Sequence, residues 1–502
     1  MGYPVYTPKT MKQLDQTTME RQSITSYALM ERAAKRLFDA ALNHALVDDD
    51  ASILVLSGPG NNGGDATLLA RHLFNRGHKV HVLSVGEATK GSDENKKALD
   101  HVSKTVPHSR IASRDDLSEL PPLLKGADLI VDGLFGIGLS RHVTGVFHDI
   151  IDAVNLSGLK TISLDIPSGV NGKNGRIQGI AIHADATLVI GGYKSGNILA
   201  DALDTHGETY LVDIGLEKDA VSTPYRFDLA AEFEKTIPRR RHNTHKYDYG
   251  QVFVIGGSPD MPGAPHLSGL AALRSGAGLV RLCVDEATKQ ASTPNVHELT
   301  YHTYRKPEAL LERLKKVDAI VYGIGLGEIE GHEAFLKALL ETKIPMVIDA
   351  DGLKVLKNVL KGFDKTLEHV IIVPHAGEFS RLTDTAKDAL MLDPFDAVST
   401  LAKSTGMTVV LKGPATIVAS GESVHLSQAK NPGLATAGSG DVLAGIAGSL
   451  LSRKVPPFYA ARLAVAMHSL AARTALDETG EESLIASDII AHLPRAIRQF
   501  KS

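Results

Sequence analysis

A glycine-rich stretch from Asn431 to Asp441 leads directly into an apolar helical pattern that runs from Val442 to Leu451. The amino end of a helix points unpaired backbone N–H groups outward and carries partial positive charge. Glycines let an anion approach that backbone closely, because they have no side chain to hold it away. The pattern therefore predicts an anion-holding turn at the start of a buried helix.

The aspartate that ends this stretch is unusual for a simple phosphate cradle, because its charge would repel the anion. Asp441 makes sense if it removes a proton from a hydroxyl group that attacks a phosphoryl group. The sequence has no G-x-x-x-x-G-K-[ST] loop, which excludes a P-loop enzyme. We therefore expect phosphoryl transfer at this turn, or chemistry that begins with it.

The composition excludes several classes of function. Of the 502 residues 43% are apolar, and 54 basic side chains stand against 58 acidic ones, for a net charge of -4. The chain has no excess of basic residues that would indicate binding to nucleic acid or to a membrane surface. No apolar run approaches the ~20 residues of a membrane span. The amino terminus has no secretory or transit pattern. The only cysteine is Cys283, which we expect to be a core residue and not a nucleophile. A single cysteine cannot form an internal disulfide, so we expect a protein of a reducing compartment, the cytoplasm.

Two α/β halves are indicated, the first covering residues 1–216. A helical pattern from Thr10 to about His44 comes first. Short apolar runs then alternate with helical segments, which predicts a Rossmann-like parallel sheet with helices on both faces. The predicted strands are Ile53–Ser57, Lys79–Val85, Asp128–Asp132, Thr161–Asp165, Ala186–Ile190 and Thr209–Asp213.

Residues 217–245 are predicted as a linker, because the basic cluster Arg239–His242 is more typical of a solvated linker than of a binding site. The second half, residues 246–502, starts a new alternation of strands and helices. Its predicted strands are Gln251–Ile255, Leu279–Val284, Ala319–Tyr322, Met346–Asp349, Val370–Val373 and Thr408–Leu411, followed by a hairpin of Thr416–Ser420 with Ser423–Leu426 and by helices at Asp441–Ser452 and Pro457–Leu476.

The first half contains a glycine turn after its first predicted strand, with the pattern G-x-G-x-x-G at Gly58, Gly60 and Gly63. Between a strand and a helix (predicted over Thr67–Arg76) this pattern is typical of a dinucleotide site. Asp65 disagrees with ordinary cofactor binding, because it would repel a pyrophosphate. A tight turn whose asparagines adopt left-handed conformations is the alternative interpretation.

Polar side chains follow three predicted strands of the first half: Asp65, Asp132, Asp165 and Ser168. The carboxyl ends of parallel strands meet at one edge of a sheet, so we expect these side chains to converge. Asp132 or Asp165 could each cap a following helix instead. Three carboxylates so close need a proton or a cation, and the amide, hydroxyl and carboxylate oxygens favour a hard cation over a transition metal.

The second half also places chemistry-bearing residues where predicted strands end. Lys412 suits a nucleotide phosphate, with a solvated lysine as the alternative. Glu378 either binds a metal through water or caps the helix that follows it. His375 is either a donor to a substrate or a structural histidine.

Six motifs occur in order across the two halves: Asn61–Asp65, Asp132–Gly136, Asp165–Gly169, Gly256–Ser258, Pro374–Glu378 and Gly438–Asp441. Together they resemble the motifs of the bifunctional NAD(P)H-hydrate repair enzymes, in which an epimerase is fused to a ribokinase-like dehydratase. One departure is Ala376, where this family usually has proline.

The resemblance implies a substrate in which the nicotinamide ring is hydrated at C6, NADHX or NADPHX. The ring nitrogen can expel the hydroxyl and readdition can occur from either face, so an acid/base group suffices for epimerisation. We expect Asp165 to be that group. The resemblance further implies that potassium is held by Asn62, Asp132 and Ser168, and that the substrate contacts Asn61, Asn62, Gly63, Gly64, Asp65, Gly136, Ile137, Gly138, Leu139, Ser140 and Arg141.

For the dehydratase the resemblance implies that a nucleotide phosphorylates the hydroxyl and that phosphate is then eliminated. Asp441 would be the base, and the N–H groups of Gly438 to Gly440 would stabilise the developing charge. We expect Mg²⁺ with the phosphates, and ADP in preference to ATP. The implied nucleotide contacts are Lys412, Gly413, Pro414, Ala415, Thr416 and Gly440, and the implied hydrate contacts are Ala264, Gly327, His375 and Asp441.

Two other functions share some of these features. A vitamin-precursor kinase of the same fold would have the Gly438–Asp441 turn but would release a stable phosphorylated product. A dinucleotide sensor or a partner-binding module would use the first half without catalysis. We also expect a homo-oligomer that binds these small molecules and neither nucleic acid nor membrane.

Overall fold

The computed structural model describes residues 2–233, 236–237, 240–292, 297–327 and 331–501. The chain divides into two compact units, an amino-terminal unit of Tyr3–Thr223 and a carboxy-terminal unit that begins at Pro224 and also includes Gly2. The division falls within the segment predicted as a linker. Arg239, part of the predicted basic cluster, lies outside the described residues.

The amino-terminal unit is built on a seven-stranded sheet in the order β4-β3-β2-β5-β6-β7-β9, in which every pair is parallel. A further pair, β1 with β8, is also parallel. The strands are β1 Tyr3–Tyr6, β2 Ser52–Ser57, β3 Lys79–Val85, β4 His108–Ile111, β5 Leu129–Gly133, β6 Lys160–Leu164, β7 Ala186–Ile190, β8 Tyr193–Lys194 and β9 Glu208–Val212. The α-helices are α1 Pro8–Gln22, α2 Ser26–Asn43, α3 Asn61–Asn75, α4 Asp93–Val102, α5 Leu120–Lys125, α6 Val146–Ser157 and α7 Ala202–Thr205, with 3₁₀ turns at Ala88–Lys90, Arg114–Glu119 and Ser195–Asn197.

The strand order reverses between β2 and β5, which is where ligands bind in open sheets of this kind. The predicted Rossmann-like sheet is confirmed. The single helical pattern from Thr10 to His44 is wrong, because Ser23 adopts a left-handed conformation (φ 52) that ends α1, and the Thr25 hydroxyl caps α2.

The carboxy-terminal unit contains a larger sheet in the order β13-β12-β11-β14-β15-β16-β17-β18-β19-β10. Its strands are β10 Tyr225–Phe227, β11 Gln251–Ile255, β12 Leu279–Asp285, β13 Thr300–Tyr304, β14 Ala319–Tyr322, β15 Met346–Ile348, β16 Val370–Ile372, β17 Thr408–Leu411, β18 Ala415–Ser420 and β19 Ser423–Gln428. The α-helices are α8 Ala264–Arg274, α9 Glu286–Ala291, α10 His332–Glu341, α11 Asp351–Leu360, α12 Ala376–Thr383, α13 Lys387–Leu392, α14 Pro394–Thr405, α15 Ser439–Ser452, α16 Pro457–Thr479 and α17 Ala486–Phe500, with 3₁₀ helices at Ala230–Phe233, Lys246–Tyr249, Pro307–Lys316 and Pro432–Leu434.

This sheet is parallel from β13 to β17, and β18 and β19 form the antiparallel hairpin that the sequence predicted. Helix α15 is apolar on every side and buried along nearly its whole length, as expected of a helix in the centre of a large core. Its amino end therefore has a fixed position over the sheet. Within the described part of the chain, no helix has the length and apolar character that crossing a membrane requires.

Candidate functional site

A cavity of about 660 Å³ lies at the carboxyl ends of the strands in the amino-terminal unit. It contains most of the epimerase residues predicted from sequence, together with side chains from α1 that the sequence did not indicate. The predicted residues in its wall are Asn61, Asn62, Asp65, Asp165 and the whole loop Gly136–Arg141. The remaining predicted contacts, Gly63 and Gly64, lie behind the wall.

Asp165 follows β6 in a left-handed backbone conformation, with φ 64, which is strained for a residue other than glycine. Its carboxylate accepts a hydrogen bond from the Lys194 ammonium and another from the Ile190 N–H at 3.1 Å. Lys194, at the end of β8, is fully buried and also donates to the Ile190 carbonyl at 3.0 Å. A buried ammonium requires a carboxylate partner, so this pair holds Asp165 in place at the cavity wall.

Asp15 and Asp65 are two further carboxyl groups in the same wall, and neither has a hydrogen bond or ion pair within the described part of the chain. Burial, followed by the charge of Asp165, raises the pKa of Asp15 to about 6, and Lys194 offsets part of this effect. Burial, followed by the charges of Asp165 and Asp15, raises the pKa of Asp65 well above its usual range. The cavity therefore contains carboxyl groups that can hold protons close to neutral pH.

Asp132 does not face the cavity, because it is fully buried and accepts four hydrogen bonds. Ser168 donates from Oγ at 2.6 Å and from its N–H at 2.9 Å, Ser163 Oγ donates at 2.7 Å and the Leu134 N–H at 3.1 Å. Burial raises the pKa of Asp132, and these hydrogen bonds offset part of the rise. No helix begins directly after Asp132 or Asp165, so the helix-cap alternative is wrong for both.

Asn62 lies beside this buried group and is 9% exposed. Its Nδ2 donates to the Phe135 carbonyl at 2.9 Å and to the Leu164 carbonyl at 3.1 Å, while the Phe135 N–H donates to Ser168 Oγ at 2.8 Å. The predicted convergence of polar side chains thus separates into two groups. Asp132 and Ser168 form, with the Phe135 carbonyl, an oxygen-rich cluster below the wall. Asn62 lies in the wall beside this cluster, and Asp65 and Asp165 face the cavity.

The asparagine–glycine run is the first part of helix α3 and not a turn before it, so the predicted helix start at Thr67 is wrong. A Cβ on Gly63 would lie 2.0 Å from the Gly58 carbonyl oxygen, and one on Gly64 would lie 2.6 Å from Met30 Sδ. These glycines let the helix pack against its neighbours, and this contact outweighs their poor helix propensity.

In the carboxy-terminal unit, helix α15 begins directly after Gly438, which has a left-handed φ of 86. Asp441 lies in the first turn of this helix. The Asp441 side chain is half-buried and has no hydrogen bond or ion pair among the residues that the structure describes. Burial, followed by the charge of Asp349, raises the pKa of Asp441 to about 7, and Lys412 offsets part of this. Asp441 can therefore exchange a proton near neutral pH.

Lys412 and Asp349 form an ion pair below the tip of α15. Asp349 is fully buried after β15, and Lys412 Nζ lies 2.8 and 3.0 Å from its two carboxylate oxygens. A Cβ on Gly440 would lie 3.2 Å from Lys412 Nζ, which places the ammonium against the backbone of the helix tip. The alternative of a solvated strand-end lysine is therefore wrong.

His375 and Glu378 form the cap of helix α12. His375 Nδ1 accepts hydrogen bonds from the N–H groups of Gly377 at 3.0 Å and Glu378 at 3.2 Å, and Glu378 Oε2 accepts from the His375 N–H at 2.8 Å. Glu378 Oε2 also lies 3.8 Å from Lys412 Nζ. Glu378 thus acts as a cap, while its second oxygen, Oε1, has no hydrogen-bond partner in the described ranges.

The other predicted dehydratase residues lie around the same edge of the sheet. Ala264 opens α8, and the Gly327 N–H donates to Asp351 Oδ2 at 3.0 Å. Gly413 and Pro414 are exposed between β17 and β18, and Ala415 and Thr416 begin β18. The structure therefore groups Asp349, Lys412 and Glu378 by direct interactions. Asp441 lies close enough for the charges of Asp349 and Lys412 to affect its pKa, and the remaining predicted residues lie at neighbouring strand ends.

Several site residues gave no sequence signal. Lys194 follows a two-glycine turn in a very short strand, and Asp15 is one of many charged residues in an amphipathic helix. Asn197, whose Nδ2 donates to the Asp165 carbonyl at 2.8 Å, lies in a 3₁₀ turn. His468 Nε2 lies 3.2 Å from Ser439 Oγ, and burial lowers the pKa of His468 to about 4, so it is neutral.

Comparison with known proteins gives consistent results for both units. A family model described as NAD(P)H-hydrate dehydratase matches residues 252–495, and one described as YjeF-related protein N-terminus matches residues 26–196. The crystal structure of a ribokinase-like superfamily protein from Enterococcus faecalis V583 aligns with a TM-score of 0.51 and 25% identity, and covers 56% of this chain and 98% of that one. The expected ribokinase-like fold is thereby confirmed.

Relatives match over nearly the full length of the chain. A bifunctional NAD(P)H-hydrate repair enzyme from Thermofilum pendens is 32% identical over 503 residues, covering 98% of this chain and 95% of the relative. Another from Coxiella burnetii is 34% identical over 498 residues, covering 97% and 98%. The chain therefore belongs to the family of bifunctional NAD(P)H-hydrate repair enzymes, which unite an epimerase and a dehydratase in one polypeptide.

Proposed function

We propose that the amino-terminal unit interconverts the R and S forms of NADHX and NADPHX at the 660 Å³ cavity, with Asp165 as an acid/base group. The C6 hydroxyl must gain a proton to leave as water, and the water that returns must lose one. Asp165 supports this role because it reaches the cavity wall and is held by Lys194 and by the Ile190 N–H. The loop Gly136–Arg141 and the residues Asn61, Asn62 and Asp65 would contact the substrate.

The oxygen-rich cluster below the wall fits a potassium ion. It offers one carboxylate, from Asp132, with the hydroxyl of Ser168 and the Phe135 carbonyl. Asn62 donates to that carbonyl through Nδ2, and it would supply Oδ1, which accepts no hydrogen bond from the described residues. A single carboxylate among neutral oxygens matches a monovalent hard cation better than a transition metal. Asn62, Asp132 and Ser168 would hold the ion, which would fix the Asn62–Ser168 side of the site and supply a positive charge.

The carboxy-terminal unit would dehydrate the S form after a nucleotide phosphorylates its C6 hydroxyl. Hydroxide leaves poorly, whereas phosphate leaves well and lets the ring nitrogen restore the nicotinamide. Asp441 would take the hydroxyl proton, for which a pKa of about 7 is suited. The N–H groups at the amino end of α15 would stabilise the charge on the transferred phosphoryl group.

Lys412 is placed to interact with the nucleotide phosphates, because its ammonium lies against Gly440 at the helix tip. We expect the segment Lys412–Thr416 and Gly440 to bind the nucleotide, with ADP preferred to ATP, and Ala264, Gly327 and His375 to contact the hydrate. Glu378 fits Mg²⁺ bound through water, since its Oε1 has no hydrogen-bond partner in the described ranges. Mg²⁺ would neutralise charge on the phosphates.

The observation that carries the proposal is that each unit has its own carboxylate–lysine pair at the carboxyl edge of its own parallel sheet, Asp165 with Lys194 and Asp349 with Lys412. A single substitution should therefore remove one activity and leave the other intact. Asp165→Asn should abolish exchange between R and S hydrates and leave dehydration of the S hydrate intact, and Asp441→Ala should do the reverse.

The test measures NADH recovered from purified S hydrate with ADP or ATP, and R/S exchange without nucleotide. Full exchange activity in Asp165→Asn, or full NADH recovery in Asp441→Ala, would reject the corresponding assignment. A phosphorylated hydrate that accumulates without recovered NADH would instead favour the kinase alternative.

Three broader expectations belong to this proposal. The epimerase would occupy residues 1–216 and the dehydratase residues 246–502, joined by 217–245. The protein would act in the cytoplasm, in agreement with its one buried free cysteine, and would assemble from identical subunits. Separate expression of the two segments, and light scattering of the full chain, would test the boundaries and the assembly.

A further inference from the structure

Helix α1 contributes one face to the wall of the epimerase cavity. Met11, Asp15 and Met19 line the cavity and are spaced four residues apart, so they lie on the same side of the helix. Asp15 is the one carboxyl group among them, placed between two methionines. No sequence motif indicated a role for Asp15, but its carboxyl lies in the cavity wall.

The Asp15 carboxyl has no hydrogen bond or ion pair within the described ranges, although its side chain is half-buried. Buried carboxyl groups are usually paired, and unpaired ones are concentrated at functional sites. The charged groups that face it across the cavity are Asp65, Asp165 and Lys194, and Lys12 and Arg141 also line the wall. Burial and the charge of Asp165 raise the pKa of Asp15 to about 6, against the opposing effect of Lys194.

The two carboxyls Asp15 and Asp165 have different partners. Asp165 accepts hydrogen bonds from an ammonium and an N–H group, whereas Asp15 has no hydrogen-bond donor within the described ranges. Epimerisation needs one group that gives a proton and another that takes one. We propose that Asp15 is a second catalytic carboxyl of the epimerase, donating a proton to the departing hydroxyl while Asp165 accepts one from the entering water.

The C6–O bond breaks, the oxygen takes the Asp15 proton and leaves as water, and the ring-nitrogen lone pair forms a C=N bond. Water then adds to the other face of C6, the C=N electrons return to nitrogen, and Asp165 takes the proton released. The two carboxyls have exchanged protonation states, which is the arrangement that the reverse reaction requires. This inference rests on the proposed epimerase site.

The experiment compares the full-length protein with the variants Asp15→Asn, Asp15→Glu and Asp65→Asn. R/S exchange of NADHX is followed without nucleotide, so that the dehydratase stays silent. Asp15→Asn keeps the shape of the protonated side chain but carries no transferable proton. We expect its kcat to fall by about 100-fold or more with little change in KM, and Asp15→Glu to recover part of the loss.

The pH profile supplies the readout that a structural role would not change. The acid form of Asp15 is lost as pH rises through its pKa of about 6, so the R-to-S rate of the unsubstituted protein should decline above that pH. Asp15→Asn should lose this decline, whereas Asp65→Asn, in a residue proposed to contact substrate, should keep it and raise KM. Unchanged dehydration of the S hydrate by Asp15→Asn would show that the carboxy-terminal unit is intact, and an unchanged KM for R/S exchange would show that the amino-terminal unit is folded.

A kcat of Asp15→Asn within about threefold of the unsubstituted value, or an unchanged pH profile, would overturn the inference. Asp165→Asn separates this failure from a failure of the proposed site. If Asp165→Asn is inactive and Asp15→Asn is active, only the role of Asp15 is rejected. If both variants are fully active, the epimerase site itself has been placed wrongly.

Discussion

Replacing Asp441 by asparagine should make the carboxy-terminal unit more stable while removing its dehydratase activity. In the folded protein burial and Asp349 raise the pKa of Asp441 from 3.8 to about 7. A raised carboxyl pKa means that folding disfavours the charged form. Between the two pKa values the folded state holds a proton that the unfolded state has released, so stability falls as pH rises through this window.

The difference of about three pKa units corresponds to about 4 kcal/mol, at about 1.36 kcal/mol for each unit. The side chain is half-buried, and screening by the water that reaches it reduces this to about 2–3 kcal/mol. Asparagine carries no charge, so the variant avoids the free-energy cost of holding the charged Asp441 carboxylate in the folded protein. The gain in unfolding free energy should be complete near pH 8 and absent at about pH 4.

The assay is urea unfolding of the apoprotein at both pH values, followed by circular dichroism because the chain has no tryptophan. Asp477→Asn is the matched control, since it removes an exposed carboxylate from the same unit. A variant Asp441→Asn that is destabilised at pH 8, or stabilised equally at both pH values, would refute the reasoning about the burial of this carboxylate.

Three further predictions concern single side chains. Lys194→Met removes the ammonium that holds Asp165, and R/S exchange without nucleotide should fall by about 100-fold or more; an exchange rate close to normal would contradict a role for the pair. Gly438→Ala places a Cβ in a left-handed conformation, 2.6 Å from Leu267 Cδ1, and should lower the unfolding free energy by about 2–4 kcal/mol in urea titrations. Asp228→Asn should lower it by about 3–5 kcal/mol at neutral pH, because Asp228 pairs in the core with His425 at 2.8 Å and Arg462 at 2.7 Å. Burial opposes the charge of Asp228, but these hydrogen bonds hold its pKa below the usual range, so the loss should shrink in acid as pH falls through that lowered pKa.

The strand ends were the part of the site that the sequence could predict. A buried parallel strand is a run of apolar residues, and its carboxyl end is marked where the run stops at a polar residue such as Asp132, Asp349 or Lys412. The sheet then gathers these ends at one edge without further information. Short or polar strands, such as Tyr193–Lys194 and His108–Ile111, lack that apolar signal and were missed.

The partners of the proposed catalytic groups could not be predicted, because they come from distant segments. Lys194 and Asp165 are 29 residues apart in the sequence. Asp15 lies in helix α1, far from both in the sequence. Their proximity is a consequence of packing, to which spacing along the chain gives no access. The start of α3 at Asn61 was missed for a related reason, since Gly63 is placed in a helix by its contact with Gly58 and against its own propensity.

Dehydration by phosphorylation of the C6 hydroxyl at the tip of α15, with Asp441 as the base, can be tested with nucleotide labelled in the terminal phosphate. The labelled nucleotide is incubated with S-NADHX and the full-length protein. We expect one labelled inorganic phosphate for each NADH recovered, and neither product with Asp441→Asn. NADH recovered without release of labelled phosphate would contradict it.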